Sequence, residues 1–218
     1  MIEYIPSILG IIFLFIVFGF LHSILASLWL KKKLAGWLGN KMAFYRIFYN
    51  IFSIISLAII YDLSPQPNII IYDLQSPFDL IILIPQFGSL IGAFMSFKFF
   101  STKEFLGIDQ VKRYLQNDYS ADELDERMSF RIEGPYRYCR HPVYFFSIMF
   151  LLFRPAMDLF YITFLVCIIL YFWIGSIYEE KKLVKIFGSD YLEYQKYVPA
   201  IIPYKLFSPY SLDKKIES

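Results

Sequence analysis

"SILGIIFLFIVFGFLHSILASLWL" fills residues 7–30, and its reading decides the class of fold. A helix needs about 20 apolar residues to cross the hydrocarbon core of a bilayer. This run supplies them with one ionisable group inside, His22. Working outward, residues 44–61, "FYRIFYNIFSIISLAIIY", give a second, slightly short span with a polar flank. Residues 79–100, "DLIILIPQFGSLIGAFMSFKFF", give a third, and the missing N–H of Pro85 predicts a kink there. "PVYFFSIMFLLF", 142–153, is too short to cross without tilt, and "RPAMD" separates it from a full-length run at 159–178. The last two runs therefore read as a helical hairpin turning at 154–158, with the short arm shielded by its neighbour.

Composition agrees with this reading. Of 218 residues, 57% are hydrophobic and 21% aromatic, where soluble domains average roughly 45–50% apolar. A net charge of +2 carries no electrostatic footprint for nucleic acid. Cys139 and Cys167, with only two histidines far apart, make neither a disulfide pattern nor a zinc motif, so no metal is expected. The start, "MIEYIPSILG", lacks a basic stretch and no small-residue cleavage site follows, so the first run reads as a retained span.

Charge placement orients the spans. "KKKLAGWLGNK" and Arg46 separate the first two, whereas "DLSPQPNIIIYDLQSPFD" between the second and third holds no Lys or Arg. Residues 101–141 and the tail after Tyr178 are basic again, and the hairpin tip has only Arg154. By the positive-inside rule, residues 31–46, 101–141 and 179–218 face the cytoplasm, where the two long polar segments can meet. The expectation is an all-α integral membrane protein with about five transmembrane helices, the last two a hairpin, and a cytoplasmic C-terminal amphipathic helix. It is read as a single membrane domain over 1–218: three spans in 1–100, a cytoplasmic loop at 101–141, and hairpin plus tail at 142–218. "STKEFLGIDQVKRYLQNDYSADELDERMSF" (101–130) reads as an amphipathic helix followed by a solvated acidic loop.

Two stretches could carry chemistry. In "GPYRYCRHPVYFF", 134–146, Arg137, Arg140 and His141 stand against an apolar run, and Pro142 suits the first turn of a helix. The positive end of that helix would lie beside Arg140 and His141. A basic interfacial anchor with Tyr136, Tyr138 and Tyr144 in the aromatic belt explains the same residues. In "YEEKKLVKIFGSDYLEYQKYVPAIIPY", 178–204, Glu179 and Glu180 directly follow an apolar helix, opposed by its dipole. Lys182 or Lys185 could pair with them at helical spacing, or a ligand could occupy them. Tyr191, Tyr194, Val198 and Ile201 continue as an amphipathic helix stopped by Pro199 and Pro203. His22 is a candidate by position alone, and a hydrogen bond to Ser23, Asn50 or Ser53 is the plainer account.

The paired signature "GPYRYCRHPVY … EEKKLVKIFGSDYLEYQKYVP" resembles the integral-membrane methyltransferases typified by isoprenylcysteine carboxyl methyltransferase and the bacterial phospholipid N-methyltransferases. "LHSILAS", "YRIFYNIFS", "EFLGIDQ", "FRPAMD" and "VPAIIP" resemble the branch holding methanethiol S-methyltransferase and the membrane proteins associated with nitric-oxide reduction. The resemblance implies S-adenosylmethionine as cofactor, bound at the cytoplasmic face. It implies contacts from Phe130, Arg131, Tyr136, Arg140, His141, Pro142, Val143, Tyr144, Glu179 and Glu180, with Glu179 matching the family's cofactor-binding Glu. His141, Tyr144 and Arg140 are candidates for a catalytic role, although nothing in the residues fixes a base. Isoprenylcysteine methyltransferases carry an Arg four residues before that Glu, where this chain has Gly175, so a small thiol or other lipophilic acceptor suits better than a prenylcysteine carboxylate. A phospholipid amine, a non-catalytic role in the nitrogen-oxide branch, and a nicotinamide-dependent sterol-reductase-like activity are the alternatives.

Overall fold

Ser27 divides the first apolar run. In the computed structural model, which describes residues 2–67, 69–205 and 210, helix α1 (Ile5–Ala26) ends there and α2 (Leu28–Leu38) begins one residue later. The Ser27 hydroxyl accepts from the Leu30 N–H at 3.3 Å, an N-cap that starts a new helix inside residues expected to be one span. There follow a 3-10 segment (Gly39–Phe44), α3 (Tyr45–Leu63), strand β1 (Ile70–Asp73), α4 (Phe78–Ile81), α5 (Leu83–Phe97), α6 (Thr102–Leu106) and α7 (Ile108–Leu115). A short 3-10 turn (Gly134–Arg137), α8 (Pro142–Leu152), strand β2 (Ala156–Asp158), α9 (Leu159–Phe187) and α10 (Ser189–Tyr197) come next.

The protein is an all-α membrane protein. Among the described residues, four helical stretches are long and apolar enough to cross a bilayer: Ile5–Ala26, Leu28–Leu63, Phe78–Phe97 and Leu159–Phe187. α8, at 11 residues, rises only about 16 Å and falls short, as its length in the sequence requires. The outer surfaces are apolar. Phe13, Ile16 and Phe20 on α1 and Ile84, Ile91 and Phe94 on α5 are each more than half exposed, a pattern that lipid rather than water accommodates.

The chain divides into two compact units, residues 1–67 with 101–129 and residues 68–100 with 130–218. In the first unit α1 packs on α3, and α7 packs on the 3-10 segment over a core of Met42, Ala43, Tyr45, Tyr49 and Tyr119. The segment expected to be a solvated acidic loop is instead bound into this unit. Lys31 pairs with Asp125 at 2.6 Å, Arg46 with Glu126, and Arg113 with both Glu104 and Glu123. Cations and carboxylates half-buried together cost less than either left alone, which is why the acidic run folds back. "EFLGIDQ" is the seam: the Phe105 carbonyl accepts from Arg46 Nε and Asn50 Nδ2, each at 2.8 Å. Gly107, at φ +89, turns α6 into α7 where a Cβ would come within 2.8 Å of Ile47. His22 is held by Tyr49 and, at 2.9 Å, by Ser53. Asn50 donates instead to the Phe105 carbonyl.

In the second unit the kink lies just before Pro85, whose missing N–H frees the Ile81 carbonyl; α4 stops at Ile81 and α5 restarts at Leu83. β1 and β2 form an antiparallel ribbon, Tyr72 opposite Met157, which the sequence reading treats as loop and hairpin tip. α8 packs along α5 more extensively than along α9, so its short arm is shielded chiefly by the third apolar helix rather than by its hairpin neighbour. Gly92 permits that approach, since a Cβ there would overlap the ring of Phe146. Gly92→Ala is therefore expected to destabilise the protein by about 1–3 kcal/mol through overpacking, read as a lower unfolding midpoint in detergent.

Candidate functional site

Glu179 and Glu180 do not sit at a helix terminus. α9 continues to Phe187, so both project from its body, about two turns before its end, and the dipole argument from the sequence does not apply. Adjacent helical residues point about 100° apart, and the two carboxylates accordingly meet different partners.

Glu180 faces Arg140 and α10. The Arg140 guanidinium binds it through two N–H···O bonds, Nε to Oε1 at 2.7 Å and Nη2 to Oε2 at 2.9 Å. Gln195 Nε2 donates to Oε2 at 2.7 Å, and His141 Nε2 lies 3.0 Å from Oε1. Arg140 Nη1 also donates to the carbonyls of Gln195 (3.1 Å) and Val198. The backbone completes the clasp: the N–H groups of Arg140 and His141 donate to Pro199 and Ala200 carbonyls, each at 2.9 Å. Beneath it Tyr191, Tyr194 and Val198 form a buried cluster onto which Phe130 packs, its ring 5.2 Å from that of Phe187. Arg140 thus spends its donors inside the protein.

Glu179 faces the other way. Tyr144 Oη donates to its Oε2 at 2.9 Å, and His141 Nδ1 is 3.5 Å from the same oxygen. Its side chain is 35% exposed against 14% for Glu180, so Glu179 is the carboxylate open to an incoming molecule. The rings of His141, Tyr144 and Phe172 form a stack, with centroids 5.2 and 4.6 Å apart and planes nearly parallel. Phe172 and Glu179 are two turns apart on one face of α9. Pro142, fully buried, opens α8, with Val143 in its first turn. Arg131 is exposed.

Burial alone would depress the His141 pKa, but its hydrogen bonds to Glu179 and Glu180 and their negative charge outweigh that and raise it to about 9. Burial pushes the Cys139 thiol up to about 12 and, with the charge of Glu179, raises the Tyr136 phenol as well. At neutral pH the site therefore holds a cationic imidazole between two carboxylates, with a neutral thiol and phenol beside it.

The His141 shift has a pH consequence. Because its folded pKa lies above the 6.5 of a free imidazole, its stabilisation is complete below pH 6.5 and fades as pH climbs through about 9. Unfolding midpoints in detergent are expected to fall across that window, by at most roughly 3 kcal/mol of stability. A His141→Gln protein, less stable throughout, should lack the slope.

Of the ten residues that the sequence reading nominated, the structure brings Arg140, His141, Tyr144, Glu179 and Glu180 into one polar cluster, while Arg131 is exposed. That reading did not nominate Gln195, Tyr194 or Phe172. Tyr194 Oη donates to the Tyr136 carbonyl and ties the tail to the residues before α8. The signals were there: Phe172 lies seven residues before Glu179, and Gln195 stands in the "YLEYQKY" half of the paired motif.

Three curated proteins are similar to this chain. Methanethiol S-methyltransferase 1 of Bradyrhizobium diazoefficiens is 24% identical over 159 residues, 72% of this chain and 54% of that protein. Methanethiol S-methyltransferase of Pseudomonas deceptionensis is 38% identical over 85 residues, 39% of this chain and 32% of that protein. The Crocosphaera subtropica protein of that name is 24% identical over 196 residues, 86% of this chain and 71% of that protein. The chain thus spans about half of the first relative's length and a third of the second's. No family model matches, and no solved structure does. All three of these relatives carry the name methanethiol S-methyltransferase, and the chain is similar to them over 39 to 86% of its length.

Proposed function

We propose that this protein is an S-adenosylmethionine-dependent methyltransferase of the membrane, acting on a small thiol or another lipophilic acceptor, with its cofactor site facing the cytoplasm. One observation carries the reading: Glu179 is the more open of the two carboxylates, its side chain 35% exposed against 14% for Glu180, beside the His141–Tyr144–Phe172 stack. The cofactor fits that donor set by charge. Its ammonium and sulfonium suit Glu179 and the outer ring of the stack, Phe172, and its carboxylate suits the positive end of α8 at Pro142–Tyr144. When bound, it supplies the methyl group and an uncharged thioether leaving group.

The chain's own residues bind, orient and enclose. His141, cationic at neutral pH, is a fixed positive charge and not a proton acceptor; with Tyr144 it holds the Glu179 carboxylate in one orientation. The Arg140–Glu180–Gln195 clasp fixes the tail against the start of α8, so the stack and Glu179 stay in place without reorganisation. Gly175, one turn before Glu179, leaves open space, since nothing described lies within 4 Å of where a Cβ would be. A small acceptor needs no cation there, in contrast to a prenylcysteine carboxylate.

The test is methyl transfer by the purified protein from labelled S-adenosylmethionine, offered methanethiol, phosphatidylethanolamine and a prenylcysteine in parallel. Label is expected in methanethiol. Label only in the lipid would assign the phospholipid reaction, and label only in the prenylcysteine would undo the Gly175 argument. Failure to bind the cofactor at millimolar concentration would support a non-catalytic role.

A further inference from the structure

α2 carries a row of residues that the fold of its own unit does not use. Lys31, Leu34 and Ala35, at helical spacing, face inward, Lys31 to Asp125 and the other two to the cluster around Met42. The opposite side holds Trp29, Lys32, Lys33 and Trp37, with the indoles 68% and 76% exposed. Lys33 Nζ stands 5.6 Å from the centroid of each indole, so its ammonium lies between two aromatic faces and its stem along them. Lys41, in the 3-10 segment that follows, is exposed as well.

Among the described residues, this face is positive without compensation. Between Glu3 and Asp62 the sequence has no acidic residue. Two carboxylates that reach this region from the 101–129 segment, Asp125 and Glu126, are taken by Lys31 and Arg46. No carboxylate pairs with Lys32, Lys33 or Lys41 among the described residues. The position of the face is also constrained. α2 starts one residue after α1, a helix that spans the bilayer, so it is tethered where hydrocarbon gives way to headgroups.

We propose that the outer face of α2 binds anionic phospholipid, its two tryptophans seated at the glycerol level and Lys32, Lys33 and Lys41 against the phosphates. Indoles favour that layer because one edge is apolar and the N–H is wet. Lysines without a carboxylate partner gain from an anionic headgroup and gain little from a zwitterion, whose own choline or ethanolamine neutralises the phosphate. The tether at Ser27 favours a lipid occupant over a soluble protein. This inference depends on the membrane reading and not on the methyl-transfer chemistry.

The chain has three tryptophans, so Trp173→Phe leaves Trp29 and Trp37 as the only reporters. The full-length W173F protein would be reconstituted in phosphatidylcholine vesicles containing a trace of chain-brominated lipid, either phosphatidylglycerol or phosphatidylcholine. Per mole fraction, the anionic lipid is expected to quench at least about threefold more effectively at low salt. High salt, or the K32Q/K33Q/K41Q substitutions on the exposed lysines, should remove that preference. The W29F/W37F protein, reporting from Trp173 alone, should show none. Equal quenching by the two lipids at low salt would overturn the proposal. So would quenching by neither, which would mean that something other than lipid covers the face, or the same preference at Trp173.

Discussion

Replacing Glu180 with alanine is expected to cost about 3–5 kcal/mol of stability and to release the C-terminal segment. The reason is what the substitution strands. Glu180 neutralises the Arg140 guanidinium through two N–H···O bonds and meets His141 and Gln195 as well. The Arg140 and Glu180 side chains are only 10% and 14% exposed, so water cannot replace the lost partner at little cost. With the carboxylate gone, a buried cation and a protonated imidazole face each other. The contacts of Arg140 to the Gln195 and Val198 carbonyls loosen with them, and Tyr194 and Val198 lose their lid. Thermal unfolding in detergent measures the loss, and limited proteolysis after α10 reports the release. A second substitution separates a stranded charge from a mere cavity: adding Arg140→Met to Glu180→Ala should recover part of the lost stability. A Glu180→Ala protein within about 1 kcal/mol of the parent would show that the clasp contributes nothing measurable.

The apolar segments were legible because bilayer thickness imposes a length that any window of sequence reveals. α1, α3, α5, α8 and α9 all overlap runs read from residues alone. Boundaries set by one side chain were not, as at Ser27, whose hydroxyl ends one helix and starts the next. Neither was pairing across long separations. Lys31 and Asp125 are 94 residues apart, and nothing local in "SADELDERM" says that its carboxylates will be held against cations. The strand at Ile70–Asp73 was hidden for a similar reason, since its partner Ala156–Asp158 lies past five intervening α-helices. At the site, the paired motifs identified which residues would meet but could not rank the two glutamates. "EE" is symmetric in sequence, and only the helical rotation between the residues sends Glu180 into Arg140 and leaves Glu179 at the surface.

That division of labour sets the second large effect. Glu179→Gln is expected to weaken S-adenosylmethionine binding by about ten- to a hundredfold while lowering the unfolding midpoint much less than Glu180→Ala does, the affinity loss being that of a charge-assisted contact, roughly 1.5–3 kcal/mol. Glutamine keeps the size of the side chain, and its amide oxygen still accepts from Tyr144 Oη, which now donates at 2.9 Å. The Arg140–Glu180 clasp does not involve it, so the tail stays docked. What disappears is the negative charge beside the aromatic stack, which on the proposed reading favours an ammonium and a sulfonium over neutral analogues. S-adenosylhomocysteine, which has lost the sulfonium charge and keeps the ammonium, provides an internal control: its affinity should fall less than that of the methyl donor. Calorimetric titration of both ligands against the parent and Glu179→Gln proteins measures the difference. Equal affinity of the two proteins for S-adenosylmethionine would remove Glu179 from the site. An equal loss for both ligands would assign it to the ammonium alone.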